Sequence, residues 1–353
     1  MAGTGDGWRG AGPAGAHRAV LDHVLALMAD LAWEQGLVLR GSMCLTAWAP
    51  GLAREPADLD WIVPSPAGFP VDLQDPHPYL AGPEAVQQWP EAFDGAARYE
   101  IWRTEEFGTA GLHAAFPPEG LHWLAEDEDH PDFGDLFDPA AALTALVRAA
   151  PQVAPGLVLD PDGLRVDGGW TYRRYDTPGV RLVVPWRADG LPPGEVRLDF
   201  ARDEWLPQAP VLTAVPRADG GRPTAVRTAS RELSLAWKLC WLHGDAAGEG
   251  TPRGKDLYDA VLLAEHPATR LTARLVRTVL RRSGTCGAGD GDGFDVREVC
   301  RRVDRAAFAR EHPWVRGSAE EWVRRLAGAL EPVLGAGGRV QPTRQGISRS
   351  SLR

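Results

Sequence analysis

Leu39-Arg40-Gly41-Ser42 and, after fifteen intervening residues, Asp58-Leu59-Asp60-Trp61-Ile62-Val63 decide how this chain folds. Leu37-Val38-Leu39 is a short apolar run of the kind that forms a buried strand. Gly41-Ser42 opens a helical stretch from Met43 to about Ala49, and Pro50-Gly51 stops it. Trp61-Ile62-Val63 is a second apolar run. The unit reads strand, small-residue turn, helix, turn, strand. Residues two apart on a strand point to one face, so Asp58 and Asp60 project together, across from a Ser at a helix N-terminus. Polyphosphate chemistry needs such a layout: backbone N–H groups and a hydroxyl for phosphates, clustered carboxylates for Mg²⁺.

The chain has 353 residues, enough for a sizeable core and two or three domains. Its hydrophobic content of 44% and charged content of 24% are those of a soluble globular protein. No N-terminal segment has a signal peptide's apolar centre; residues 1–14 are Gly/Ala-rich and read as a disordered tail. Asp22, His23 and Asp30 interrupt the apolar stretch near residues 19–33, which excludes a membrane span there. Cys44, Cys240, Cys286 and Cys300 show no C-x-x-C spacing, which predicts reduced thiols, a cytoplasmic location and no structural zinc. The net charge of −10 is uneven: from Leu271 onward, 16 Arg stand against 9 Asp and Glu. A basic end beside an acidic body reads as a polyanion-facing surface, or as solvated helix faces in an Arg-rich chain. Among 38 Lys and Arg, only Lys238 and Lys255 are Lys. Positions that keep Lys in such a chain are candidates for a compact ammonium rather than a planar fork.

Residues 15–35 carry Val20, Val24, Leu27, Met28 and Leu31 at helical spacing. Residues 64–135 are rich in Pro, Gly and Trp, with a candidate strand at Tyr99–Trp102. An acidic stretch from Glu126 to Asp138 reads as a solvated loop. Ala140–Ala150 reads as a helix. Leu157–Leu159, Val180–Pro185, Val196–Phe200 and Ala225–Arg227 read as strands, with a turn at Gly190–Gly194. From Ser230 the chain is helical to about Gly335, broken at Gly244–Gly254 and Gly284–Gly293, and residues 336–353 read as a disordered tail.

Asp199 is the third candidate carboxylate, because alternation in Val196–Phe200 aims Arg197 and Asp199 away from Leu198 and Phe200. If that strand lies beside Asp58 and Asp60, three charges converge and repel by about 4 kcal/mol per pair at an effective dielectric near 20. They stay ionised only where cations share the site. Ser230 is placed as an N-cap with Glu232 in the first turn. The helix that follows is apolar almost all round, with a narrow polar stripe of Ser234 and Lys238. A buried ammonium needs an anion: a nucleotide phosphate is one natural partner, an Asp carboxylate the other. Arg253-Gly254-Lys255-Asp256-Leu257-Tyr258-Asp259 begins another helix, where Lys255 and Asp259 form either an i,i+4 pair or site support. Asp256 orients Lys238 or touches the nucleotide. The nine His fall in no H-E-x-x-H pattern and have no G-x-S-x-G partner.

Together these segments resemble the AbiEii/AbiGii toxin family of nucleotidyltransferases. The likeness covers about residues 35–265: Leu39–Ser42, Arg54–Asp60, Val196–Phe200, Glu232–Leu239 and Arg253–Asp259, in the family's order. Pro56 stands where the family usually has Ser, and the Ser42-to-Asp58 gap is longer than usual. The resemblance implies an α+β fold: a nucleotidyltransferase palm with a mixed β-sheet over 15–228, interrupted by an insertion at 64–135, and a C-terminal helical part over 229–335. It also implies Mg²⁺ (or Mn²⁺) dependence, an NTP substrate, NMP transfer to an acceptor hydroxyl such as a tRNA 3′ end, and a winged-helix antitoxin as genetic partner. On that reading Asp58, Asp60 and Asp199 bind metal, and Gly41 and Ser42 hold the β/γ-phosphates. Lys238 neutralises the triphosphate, Asp256 positions it or the base, and Arg253, Lys255 and Asp259 support them. Two alternatives are a sister enzyme modifying a small molecule or protein side chain, and a palm-like protein that binds without turnover.

Overall fold

The computed structural model describes residues 8–63, 68–71, 122–125, 137–172, 177–247, 253–282 and 302–334, except positions 203, 205, 312 and 314. Helix α1 (Gly12–Glu34) starts with Pro13 in its first turn, where a missing N–H costs nothing. It buries Val20, Leu21, Val24, Leu25 and Met28, spaced to form one stripe against strands of the sheet. The N-terminal tail expectation is corrected for residues 8–14. Trp8 is buried in the core, and Arg9 donates to the Pro155 carbonyl at 3.1 Å and the Asp189 carboxylate at 3.4 Å.

The sequence-predicted unit forms as β1 (Val38–Arg40), α2 (Ser42–Trp48) and β2 (Asp58–Val63). Two short strands follow, β3 (Gly68–Val71) and β4 (His122–Ala125), which pair in parallel with each other. Tyr99–Trp102, residues 126–136 of the acidic stretch and Gly284–Gly293 lie outside the described residues. Asp138, at the end of that stretch, caps α3 (Pro139–Ala149) by accepting from the Ala140 and Ala141 N–H groups at 2.8 and 3.1 Å.

Then come β5 (Gln152–Ala154), β6 (Leu157–Leu159), β7 (Arg165–Tyr172), β8 (Thr177–Ala188), β9 (Gly194–Arg202), β10 (Val211–Val215) and β11 (Thr224–Thr228). The main sheet is mixed and runs β10-β11-β1-β2-β9-β8-β6-β5, with β7 also on β8. β2 pairs antiparallel with β1 and parallel with β9, and β9 pairs antiparallel with β8. Leu39, Leu59, Trp61, Leu198 and Phe200 are fully buried in the core. Burying each such side chain contributes about 1.5–3 kcal/mol, so the central strands are also the best anchored. The α+β expectation holds at this level: a mixed sheet with several helices.

The C-terminal helices are α4 (Arg231–Ala247), α5 (Gly254–Glu265), α6 (Ala273–Arg282), α7 (Arg305–Glu311) and α8 (Ala319–Leu334). Ser230 caps α4 as expected, its hydroxyl accepting from the Leu233 N–H at 3.0 Å. α5 packs between α4 and α8, with the Tyr258 and Trp322 ring centroids 4.8 Å apart. No helix among the described residues is long and apolar enough to cross a membrane.

Candidate active site

The pairing registers bring the predicted acids together. Asp60 stands directly opposite Asp199 across the parallel β2–β9 ladder, and Asp58 opposite Arg197. Arg40 on β1 is the cross-strand neighbour of Asp60, and Arg181 on β8 that of Asp199. Four adjacent strands therefore present Arg40, Asp60, Asp199 and Arg181 in one row, since directly paired residues share a face. Asp58, Asp60 and Asp199 each offer a carboxylate oxygen, all within 4.8 Å of one another.

Electrostatics follows from this crowding. Asp60 is pushed up to about 7 by burial first and then by Asp58, with Arg40 and Lys255 pulling the other way. Asp199 is held by the Arg181 fork, Nε to Oδ1 at 2.6 Å and the second nitrogen to Oδ2 at 2.7 Å. The Arg40 guanidinium pairs with Glu204. Asp58 and Asp60 form no hydrogen bond or ion pair among the described residues.

Gly41 is required where it stands. Its φ is +82°, and a Cβ there would lie 2.2 Å from Asp60 Oδ2. The Gly-Ser turn is thus pressed against the middle carboxylate. The Ser42 hydroxyl is buried and has no hydrogen-bond partner among the described residues, an arrangement that disfavours the fold unless something else fills the bond. Cys44 is buried too, and burial with the Asp60 charge pushes its thiol up, so it is no nucleophile.

Lys238 is buried, and its ammonium sits 2.6 Å from Asp256 and 2.9 Å from Asp259. Of the two anions weighed for it, the carboxylate is the one in contact. Arg54 reaches Asp259 from before β2, Nε to Oδ1 at 3.0 Å. Burial alone would raise Asp259, but Lys238 and Arg54 hold it below the usual carboxylate range. These pairs tie the approach to β2 to α4 and α5. Asp259 is engaged this way, and the i,i+4 pair of Lys255 with Asp259 is absent among the described residues. Lys255 is half-buried in the first turn of α5 and near enough to lower Asp60. Arg253 is exposed at the cap of α5. No local pattern in the sequence marks Arg40, Arg181 or Glu204 as site residues. Val180–Pro185 reads as a strand from its apolar run, but only the β8–β9 register shows which carboxylate Arg181 meets.

Three oxygen-donor carboxylates on a central sheet, beside a glycine-cornered helix start, define as a class a candidate hard-cation site suited to polyphosphate chemistry. The family model described as nucleotidyl transferase AbiEii toxin, Type IV TA system, matches residues 132–334. That is more than half of the chain, and the chain belongs to this family. The matched span includes Asp199, Lys238 and Asp256; it begins after the Gly41–Asp60 unit and runs on beyond residue 265, where the resemblance read from motifs ends. No curated protein matches the chain.

Proposed function

We propose that this chain is a metal-dependent nucleotidyltransferase that moves NMP from an NTP to an acceptor hydroxyl, the tRNA 3′ end first among them, as the toxin of a toxin–antitoxin pair. The observation that carries the reading is the convergence of Asp58, Asp60 and Asp199 within 4.8 Å. The donor set fits Mg²⁺ or Mn²⁺: all ligands are oxygens, and Asp60 is driven toward its neutral form when no cation offsets its neighbours. Asp58, Asp60 and Asp199 would hold the metal, which supplies charge stabilisation at the transferring phosphoryl group.

The chain's own residues do the rest. Gly41 lets the backbone approach the site, and the Ser42 hydroxyl, without a partner among the described residues, donates to a β- or γ-phosphate oxygen. Lys255 adds positive charge at the edge of the cluster. Lys238, through Asp256 and Asp259, fixes α5 and so the place from which Lys255 acts. The acceptor hydroxyl attacks the α-phosphate in line: its oxygen forms the new P–O bond and gives up its proton to solvent, the bond from the α-phosphorus to the bridging oxygen breaks, and pyrophosphate leaves with that oxygen. Most of the rate enhancement is positional and electrostatic.

The basic stretch from Leu271 favours a nucleic-acid acceptor. The acidic remainder of the chain is the observation that favours a cationic small acceptor instead. Labelled NTPs incubated with total tRNA or with small acceptors separate the two. Asp60→Ala abolishes transfer on this account while the cooperative melt persists; undiminished transfer by that variant refutes it. Absence of NTP and Mg²⁺ binding in calorimetry would instead leave a binding protein without turnover.

A further inference from the structure

The row of charges across four strands is not evenly balanced. Arg40 is engaged by Glu204, and both oxygens of Asp199 carry an Arg181 N–H. Asp58 and Asp60 remain as the two carboxylates of the cluster with no ion pair among the described residues. Two carboxylates without an ion pair, beside a third that is already paired, offer a place for one divalent cation rather than two. The Asp199 side chain is 5% exposed, whereas that of Arg181 is 27% exposed. The guanidinium is therefore the more exposed partner of the pair, and the carboxylate the more enclosed one.

We propose that Arg181 is a latch on the third carboxylate: without nucleotide the site takes one divalent cation, on Asp58 and Asp60, and Asp199 is released to a second only when NTP phosphates draw Arg181 away. This rests on the metal-binding reading above. A planar fork recognises phosphate and carboxylate with the same bidentate geometry, so a triphosphate is a competitor for Arg181 rather than a bystander. The exchange keeps charge matched at each stage: guanidinium on Asp199 in the free protein, cation on Asp199 and guanidinium on phosphate in the loaded one. Arg181 is in this sense a positioning residue that sets the order of binding. A static cross-strand pair, holding β8 to β9 at all times, would show none of this behaviour.

Mn²⁺ binding, followed by the electron paramagnetic resonance signal of the free ion, tests the latch without any turnover. The wild-type protein binds one Mn²⁺ without nucleotide and two with a non-hydrolysable NTP analogue. Asp60→Asn loses the nucleotide-free ion, and Asp199→Asn keeps it. Arg181→Met, which retains bulk but no charge, binds a second Mn²⁺ without nucleotide, or binds the first about tenfold more tightly or better, because a like charge a few ångströms from the site is gone. Arg181→Met with wild-type stoichiometry and affinity overturns the latch, as does a wild type that takes two ions without nucleotide. If neither protein binds Mn²⁺ at all, the metal reading itself falls, and the latch with it. Should Arg181→Met lack a cooperative melt, Arg181→Lys serves. It keeps the charge but loses the fork, and a second Mn²⁺ then enters at lower analogue concentration than in the wild type; an unchanged analogue dependence overturns the proposal.

Discussion

Replacing Asp60 by Asn should stabilise the metal-free protein while removing its activity. Each carboxylate pair in the cluster, with oxygens within 4.8 Å, repels by about 3–4 kcal/mol at an effective dielectric near 20. Asp60 takes part in two such pairs, offset by the attraction of Arg40 and Lys255. Its rise from 3.8 to about 7 expresses the net cost of charging it in the fold. That rise corresponds to about 2–4 kcal/mol once the partial access of the side chain to water is allowed for. The sign is opposite to that of an ion-paired acid. With the folded value above the unfolded one, the stabilisation from the protonated form is complete below about pH 4 and is lost as pH rises through about 7. Wild-type protein in chelator should therefore gain about 2–3 kcal/mol between about pH 8 and about pH 5, whereas Asp60→Asn lacks that component. At about pH 8 the variant should melt about 3–5 °C higher than the wild type. Urea and thermal denaturation at the two pH values measure both quantities. Stabilities of wild type and variant that move in parallel between the two pH values would refute the reasoning.

Three further outcomes follow from the same geometry. Gly41→Ala must clear the Asp60 carboxylate and hold a positive φ, at a cost of about 1–3 kcal/mol for the backbone alone; urea unfolding reads the loss, and Mn²⁺ binding falls with it. Ser42→Ala removes a buried hydroxyl that has no bond among the described residues, so stability should hold or rise by about 1 kcal/mol while NTP affinity drops; calorimetry and a melt of the same sample separate the two effects. Lys238→Met strands Asp256 and Asp259 in the interior at a cost of about 3–5 kcal/mol, toward the lower figure because Arg54 still serves Asp259. Its denaturation midpoint is the readout.

The parts of the site legible in the sequence are those with a local signature. The i,i+2 spacing of Asp58 and Asp60, the Gly-Ser corner and the alternation around Asp199 each follow from the period of a strand. The pairing of β2 with β9, which sets Asp60 opposite Asp199, has no local signature, because the two strands are far apart in the chain. Arg181 was hidden for the same reason: its partner is fixed by the β8–β9 register. The helix pattern around Lys238 calls for a buried anion and leaves it between a nucleotide phosphate and an Asp, Asp256 among them; that both Asp256 and Asp259 reach it depends on how α5 packs on α4. Among strands, β10 escaped because Val211 and Leu212 are both exposed, which blurs the alternation of an edge strand. β7 escaped because Gly168-Gly169 reads as a turn, while in the sheet it accompanies a shift of register. The ordered Trp8–Ala14 segment lay inside a Gly/Ala-rich stretch whose one aromatic anchor carried too little signal.

The most direct test is a crystal structure of the protein grown with Mn²⁺ and a non-hydrolysable NTP analogue. The account predicts anomalous density about 2.1 Å from carboxylate oxygens of Asp58 and Asp60, with the triphosphate against Gly41 and Ser42. Manganese bound elsewhere, or a triphosphate seated away from these residues, would contradict it.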